Sequence, residues 1–259
     1  MVTLTVSQRR SCEILSVNRS SVRYNTKRTI DPLLAEIKKL ALKYPRYGYR
    51  MIHAILRQRQ IINHKRVYRL YTSIKLQLRR PVRKKKYLVS RRHEPIAQKP
   101  DHIWSMDFMH DRSMTGSFRT LNIVDNFSRE CLQICIDKNL NSRDVILTLQ
   151  NLVYEGRKPD KIICDNGPEF RANQFQKWAA EHKIDIEYIQ PGKPTQNAFA
   201  ESFNATMRYE CFKANIFKDL TEAKTIISYW KDQYNNERPH SSIGKIPPAK
   251  YRQKILEEN

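Results

Sequence analysis

Apolar residues along the chain follow two periods, and the switches between them outline the elements. From residue 101 onward, five short runs, 103–109, 118–127, 130–136, 160–165 and 184–189, are rich in Ile, Val, Leu and Phe, as strands require. A turn at 113–117 containing Gly116 separates the first two. Between and after the later runs, apolar residues recur three and four apart, the helical spacing. Ser142 is placed to cap a helix carrying Val145, Ile146, Leu149, Leu152 and Val153, and residues 173–182 form another. A last long helix starts near Leu220, with Thr221 as its cap and Ile226, Ile227, Trp230 and Tyr234 on one side. Residues 238–248 read as an extended tail. Three antiparallel strands followed by helix, strand, helix, strand, helix predict an α/β fold with a mixed sheet.

The first segment has the helical period only. Residues 8–24 outline helix, short turn and helix, with Asn18 capping the second piece. Asp31 as N-cap and Pro32 at the first helical position open a helix with Leu33, Leu34, Ile37, Leu40 and Ala41 inward. Residues 45–48 break it. A second helix turns Met51, Ile52, Ile55 and Leu56 inward; a third, after Asn63, buries Val67, Leu70, Tyr71 and Ile74 and exposes Lys65, Arg66, Arg69 and Lys75. Residues 79–100 have three prolines and no apolar period, and they carry Arg79, Arg80, Arg83, Lys84, Lys85 and Lys86. The chain therefore divides into a small basic all-helical domain at 1–78, a basic linker at 79–100 and an α/β domain at 101–259.

Charge sharpens this division. The net charge is +22, and residues 1–100 hold 26 bases against 4 acids, while residues 101–259 hold 22 of each. The whole excess lies in the helical segment and linker, the footprint of a nucleic-acid-binding arm on a neutral domain. Lys65, Arg66, Arg69 and the linker bases are the candidate contacts to a DNA backbone. No long apolar span or signal peptide is present, which points away from a membrane and toward a soluble chain, cytoplasmic in a bacterium. Cys12, Cys131, Cys135, Cys164 and Cys211 have neither disulfide nor zinc-ribbon spacing and read as small core residues.

Candidate chemistry lies in the α/β domain. Ile162, Ile163 and Cys164 lead to Asp165 at a strand end, followed by the turn Asn166-Gly167-Pro168. Asp107 stands within residues 103–109, and Glu201 lies in a helix running from about Gln196 to Arg208. Helical spacing puts Asn197, Glu201 and Arg208 on one face and Phe199, Phe203, Met207 and Cys211 on roughly the opposite one. Three carboxylates on two strands and a helix suit hard divalent cations. Singly, each acid has a plainer reading as a solvent-facing, turn or helix-surface residue. Arg208 fits a phosphate clamp, or else a pairing within its helix to Asn204 or Glu201. Asn166, Glu169, Asn197 and Asp125 either orient ligands or cap local structure. The loop at 191–195, with Gly192 between prolines, has lid-like composition and offers Lys193 as a further DNA contact. Trp104 and Trp230 are core aromatics.

Thirty-five residues separate Asp165 from Glu201, and a basic residue follows Glu201 by seven. With Asp107 this resembles the D,D(35)E signature of integrase-type transposases. The wording around it is closer still: Asp165-Asn166-Gly167-Pro168-Glu169-Phe170, Gln190-Pro191-Gly192-Lys193-Pro194-Thr195-Gln196-Asn197 and Asn236-Glu237-Arg238-Pro239-His240-Ser241-Ser242. These segments resemble the second-reading-frame transposases of bacterial insertion sequence family three, along nearly the whole chain. The resemblance implies a ribonuclease-H-like integrase catalytic core, with Asp107, Asp165 and Glu201 as catalytic metal ligands for two Mg²⁺ (or Mn²⁺) ions. It implies cleavage and strand transfer at the element's ends, on double-stranded element and target DNA, by a homo-oligomer. It also implies fusion, by frameshifting, to the product of an upstream reading frame. Two alternatives stay open: a nuclease without strand transfer, and a catalytically silent DNA-binding regulator.

Overall fold

Two apolar patterns build two bodies of the chain, seen in a computed structural model that describes residues 6–24, 31–78, 96–190 and 194–258. In the basic segment, α1 (Gln8–Ile14) and α2 (Arg19–Arg23) form the predicted helical pair, with the Asn18 side chain accepting from Ser20 N at 3.2 Å. Next come α3 (Leu33–Lys43), α4 (Tyr49–Arg57) and α5 (His64–Ser73). They bury Leu33, Ile37, Leu40, Ile52, Leu56, Val67 and Tyr71 together, as their spacing requires. Pro32, not Asp31, occupies the N-cap of α3, yet Asp31 Oδ1 accepts from Leu33 N at 3.1 Å and so does the capping work from one residue back.

Alternation along the first strand decides how the sheet is covered. The strands are β1 (Ile103–Ser113), β2 (Gly116–Asp125), β3 (Cys131–Asp137), β4 (Lys161–Cys164) and β5 (Asp185–Tyr188), in the spatial order β3-β2-β1-β4-β5. β1, β2 and β3 form the antiparallel meander, and β4 and β5 run parallel to β1. Trp104 and Met106 of β1 point to one face with Leu121 and Ile123 of β2. There they meet α6 (Ser142–Tyr154), α7 (Pro168–Arg171) and α8 (Asn173–Glu181) through Val145, Leu149, Phe170, Phe175 and Trp178. Met109, Phe118 and Val124 point to the other face. There α9 (Ala198–Glu210) and α10 (Leu220–Asn236) bring Phe203, Met207, Ile227, Trp230 and Tyr234. Both predicted core tryptophans are buried. Asp107 lies on this second face, two residues from Met109.

Several predicted boundaries shift. Asn141, rather than Ser142, caps α6, because Asn141 keeps extended dihedrals and exchanges hydrogen bonds with Asp144 in a capping box. Asp219, rather than Thr221, caps α10, its carboxylate accepting from Glu222 N at 2.8 Å. The expected extended tail is not extended throughout: it holds a 3-10 turn at Ser241–Ile243 and leads into α11 (Pro248–Glu257). Pro248 starts that helix where its missing N–H goes unneeded. The linker bases Arg79, Arg80, Arg83, Lys84, Lys85 and Lys86, and Lys193 of the lid-like loop, lie outside the described residues. Four of the five cysteines are buried thiols and Cys135 is half-buried. Among the described residues no helix is long and apolar enough to cross a membrane.

Candidate active site

Strand register brings the first two acids together. β1 pairs with β4 in parallel, with Ser105 opposite Ile163. Two residues further on, the same register sets Asp107 opposite Asp165, just past the end of β4. Period-two alternation sends both side chains the way of Ser105 and Ile163. Asp165 turns the chain by accepting from Gly167 N at 2.9 Å. A Cβ at Gly167 would stand 2.9 Å from Asp165 Oδ1 and 3.2 Å from Glu169 Oε2, so a larger residue here would press on both carboxylates.

The third acid arrives on a pinned helix. At the N-cap of α9, the buried Asn197 donates from Nδ2 to the Met106 carbonyl at 3.0 Å. Two turns on, the buried Asn204 donates from Nδ2 to Asp107 Oδ2 at 2.8 Å and accepts at Oδ1 from Asn122 Nδ2 at 2.7 Å. Asn122 lies opposite Asp107 in the β1–β2 register. A buried relay, Asn122 to Asn204 to Asp107, thus crosses two strands and a helix. Glu201 sits between the two asparagine pins, on the exposed side of α9.

This arrangement corrects one expectation about the helix. Asn197 belongs to the inward face with Ala200, Phe203, Asn204 and Met207, whereas Phe199 is only half-buried and lies under the Arg129 guanidinium, 3.9 Å from its centre. An amide that hydrogen-bonds a strand carbonyl can be buried where a carboxylate cannot. Asn204 and Asn122 were missed from sequence. A polar residue one turn past Glu201, and another interrupting the apolar run Leu121-Asn122-Ile123, were the available signals.

Electrostatics single out Asp107. Burial pushes its carboxyl up to about 6, and the neighbouring charges of Asp165 and Glu201 push the same way, against hydrogen bonds from Phe108 N and Asn204. Its hydrogen-bond donors are neutral, Phe108 N at 2.8 Å and Asn204. Carboxylate oxygens gathered in this way are the donors a hard divalent cation prefers. Among the described residues, however, no three His, Cys, Asp or Glu side chains already form a cluster able to hold one. The donor types fit; the closed cage is not assembled.

The other predicted residues fall in different places. Asn166 donates to the Ile189 carbonyl and accepts from Arg171, tying the turn after β4 to the end of β5. Glu169 pairs with Arg119 at 2.7 Å, and Arg119 stacks over Phe108, the neighbour of Asp107. Asp125 is fully buried at the opposite end of β2, accepting from Ser128 N and Oγ at 2.8 and 2.6 Å; it holds a turn, away from the acids. Arg208 is exposed beside β1, and its guanidinium donates to the His110 carbonyl at 3.5 Å, a bond that leaves the helix for the strand. Lys65 and Arg69 are exposed on α5, and Arg66 makes a two-bond ion pair with Asp31, each at 2.9 Å.

Known proteins are similar to this chain in sequence and fold. Two family models described as integrase core domain match residues 97–194 and 182–248, and one described as HTH-like domain matches residues 30–86. A 39.2 kDa insertion element IS476 protein of Xanthomonas euvesicatoria, itself uncharacterized, is 37% identical over 95% of this chain and 72% of its own length. An insertion element IS407 protein of Burkholderia multivorans, also uncharacterized, is 33% identical over 96% of this chain and 91% of its own. A putative transposase of insertion sequence element IS150 from Escherichia coli is 26% identical over 80% of this chain and 77% of its own. Among solved structures, a chain of the simian T-cell lymphotropic virus intasome superposes with a TM-score of 0.56 at 19% identity, over 83% of this chain and 74% of that one. That likeness carries the fold alone, a ribonuclease-H-like integrase core. On the identity and coverage of its insertion-element relatives, the chain belongs to the integrase-core transposases of bacterial insertion sequences, in the family-three group.

Proposed function

We propose that this transposase cuts DNA at the ends of its own element and joins the freed ends to target DNA, with Asp107, Asp165 and Glu201 holding two Mg²⁺ or Mn²⁺ ions. The observation that carries this reading is the parallel β1–β4 register, Ser105 opposite Ile163, which carried two residues on brings Asp107 level with Asp165, while the charges of Asp165 and Glu201 both act on Asp107. Ions bound there supply an activated water or 3′-hydroxyl and offset charge on the attacking and leaving oxygens of an in-line displacement.

The chain's own residues do the rest. Asp107, which feels the charges of both other acids, would be shared by the two ions, with Asp165 and Glu201 each contributing to one of them. Asn204 fixes one oxygen of Asp107, and Phe108 N fixes the other. Asn197 and Asn204 hold α9 against β1, which keeps Glu201 close enough for its charge to act on Asp107. In each step the attacking oxygen, of water in cutting or of the freed 3′-hydroxyl in joining, bonds phosphorus as the bond to the departing 3′-oxygen breaks; the nucleophile's proton passes to solvent and the departing oxygen takes one up to become a hydroxyl. Arg208 is exposed on the same helix and can grip a phosphate beside the site. Lys65, Arg66, Arg69, the linker bases and Lys193 hold the duplex through its backbone. The division at residues 78 and 100 into binding segment, linker and catalytic domain follows from that split of tasks. Assembly as a homo-oligomer on paired ends, and supply of this frame as a fusion with an upstream one, complete the reading.

The test is strand transfer on end DNA of the parent element, with the full chain and with an upstream-frame fusion, in magnesium and in chelator. Metal-dependent joining is the expected result. Nicking without joining makes the protein a nuclease. Specific binding without any cutting makes it a silent regulator.

A further inference from the structure

The motif Asn236-Glu237-Arg238-Pro239-His240 has no place in the chemistry above, yet it lies where the two bodies of the chain meet. Glu210 ends α9, and its carboxylate takes two bonds from Arg238, Nε to Oε2 at 2.9 Å and Nη2 to Oε1 at 2.8 Å. Onto this pair comes the turn between α3 and α4. Tyr44 and Tyr47 stack ring on ring at 4.6 Å, and both are buried. The Tyr44 hydroxyl donates to Glu237 Oε2, which Lys43 also approaches at 2.7 Å. Arg46 donates to the Lys213 carbonyl at 3.0 Å and lies 4.8 Å over the Tyr209 ring. The Tyr47 hydroxyl lies within the field of Glu210 and Arg238.

We infer that the Tyr44–Tyr47 turn and the Glu237/Glu210–Arg238 brace form an interdomain latch that fixes the helical DNA-binding segment against the C-terminal end of α9, so that a duplex held by the segment meets the acids at one set position. Glu210 is nine residues from Glu201 on one rigid helix, about 14 Å along its axis. The contacts combine a buried aromatic stack, three hydrogen bonds to charged or carbonyl groups and a ring-stacked guanidinium, a set that specifies orientation as well as proximity. Tyr44, Arg46 and Glu237 are positioning residues: none touches the acids, and each acts through the placement of the duplex. This rests on the proposed cutting of element ends, and its test separates the two.

Tyr44→Phe removes only the hydroxyl and keeps the ring stack; Glu237→Ala removes the acceptor; Glu237→Gln retains one. In the full chain, paired labels at Ile61→Cys and Tyr154→Cys, both fully exposed positions on the two bodies, report the distance between them. The unaltered latch gives one narrow distance. Tyr44→Phe and Glu237→Ala broaden it, with Glu237→Gln between them. DNA affinity stays within about twofold, end cleavage falls about tenfold, the size of one hydrogen bond to a charged group, and the cut spreads over neighbouring phosphodiesters. A distance that stays narrow in both variants overturns the latch. So does a broadened distance with unchanged cutting rate and cut position. Absence of metal-dependent cutting in the unaltered chain counts against the strand-transfer reading instead, and the distance measurement then judges the latch alone.

Discussion

The two ends of α9 bury charge in opposite ways. At its C-terminal end, Glu210 and Arg238 are 10% and 15% exposed and neutralise each other through a two-bond pair, with Tyr234 and His240 packed around them. Beside its N-terminal half, Asp107 accepts from two neutral donors, Phe108 N and Asn204, and lies in the field of two more carboxylates. A buried charge that the chain neutralises itself is a fastener. Asp107 is instead half-buried beside like charge: burial, together with Asp165 and Glu201, pushes its carboxyl up.

That contrast can be broken at each end. The largest effect is expected from Asp107→Asn, Asp165→Asn or Glu201→Gln. Each abolishes metal-dependent cutting and joining while DNA binding persists, as gel-based transfer and binding assays can check. In melting experiments magnesium raises the transition of the unaltered chain and not that of these variants, since only a bound cation stabilises by mass action. A magnesium shift that survives in Asp107→Asn removes that residue from the site.

At the other end, Glu210→Gln leaves a buried guanidinium without its counter-charge. Loss of one partner of a buried pair costs about 3–5 kcal/mol, so denaturant unfolding reports a far less stable chain with or without metal. An unchanged midpoint makes the pair ornamental. Smaller still is Asn204→Ala, which removes the donor to Asp107 Oδ2 and leaves Asn122 without its acceptor. An outer partner of a metal ligand contributes about 10–100-fold in metal affinity or activity. Magnesium titrations of cutting rate should show that loss in the half-saturating metal concentration, and a loss confined to stability refutes the relay.

The subtlest effect is one of pH. Burial, then the charges of Arg238 and Arg129, drive His240 down to about 3 from its ordinary 6.5. The unfolded chain therefore takes up a proton below about 6.5 that the folded chain refuses. The stability linked to His240 is complete above that pH and is lost as pH falls from there toward 3. His240→Gln flattens this slope in acid unfolding curves; an identical slope in the variant places the acid sensitivity elsewhere.

Much of this was legible in residue order. The alternation through Trp104, Met106 and Phe108 marks one face of β1, and the four-residue spacing of Phe203 and Met207 marks the buried side of α9. Asp165 before Asn166-Gly167-Pro168 was visible as a strand-end acid. Less legible were residues whose role depends on a distant partner. Asn197 shares a helical column with Glu201 and Arg208, so spacing placed it outward, but a strand carbonyl one residue before Asp107 draws it in. Asp125, which from sequence could either orient a ligand or cap local structure, does the second: Ser128 donates twice to its Oδ2 and Asp101 N once to its Oδ1.

The sequence by itself determined the periodicities, the confinement of net charge to the first hundred residues and the spacing of three acids, because each is a property of neighbours along the chain. Only the tertiary structure decided which polar residues meet: Asp107 with Asp165 through strand register, Asn204 with Asn122 through helix-on-sheet packing, and Glu237 with Tyr44 across 193 residues. Local pattern fixes which face of an element is buried. The partner on that face is set by how the elements dock, and that depends on the shape of the whole core.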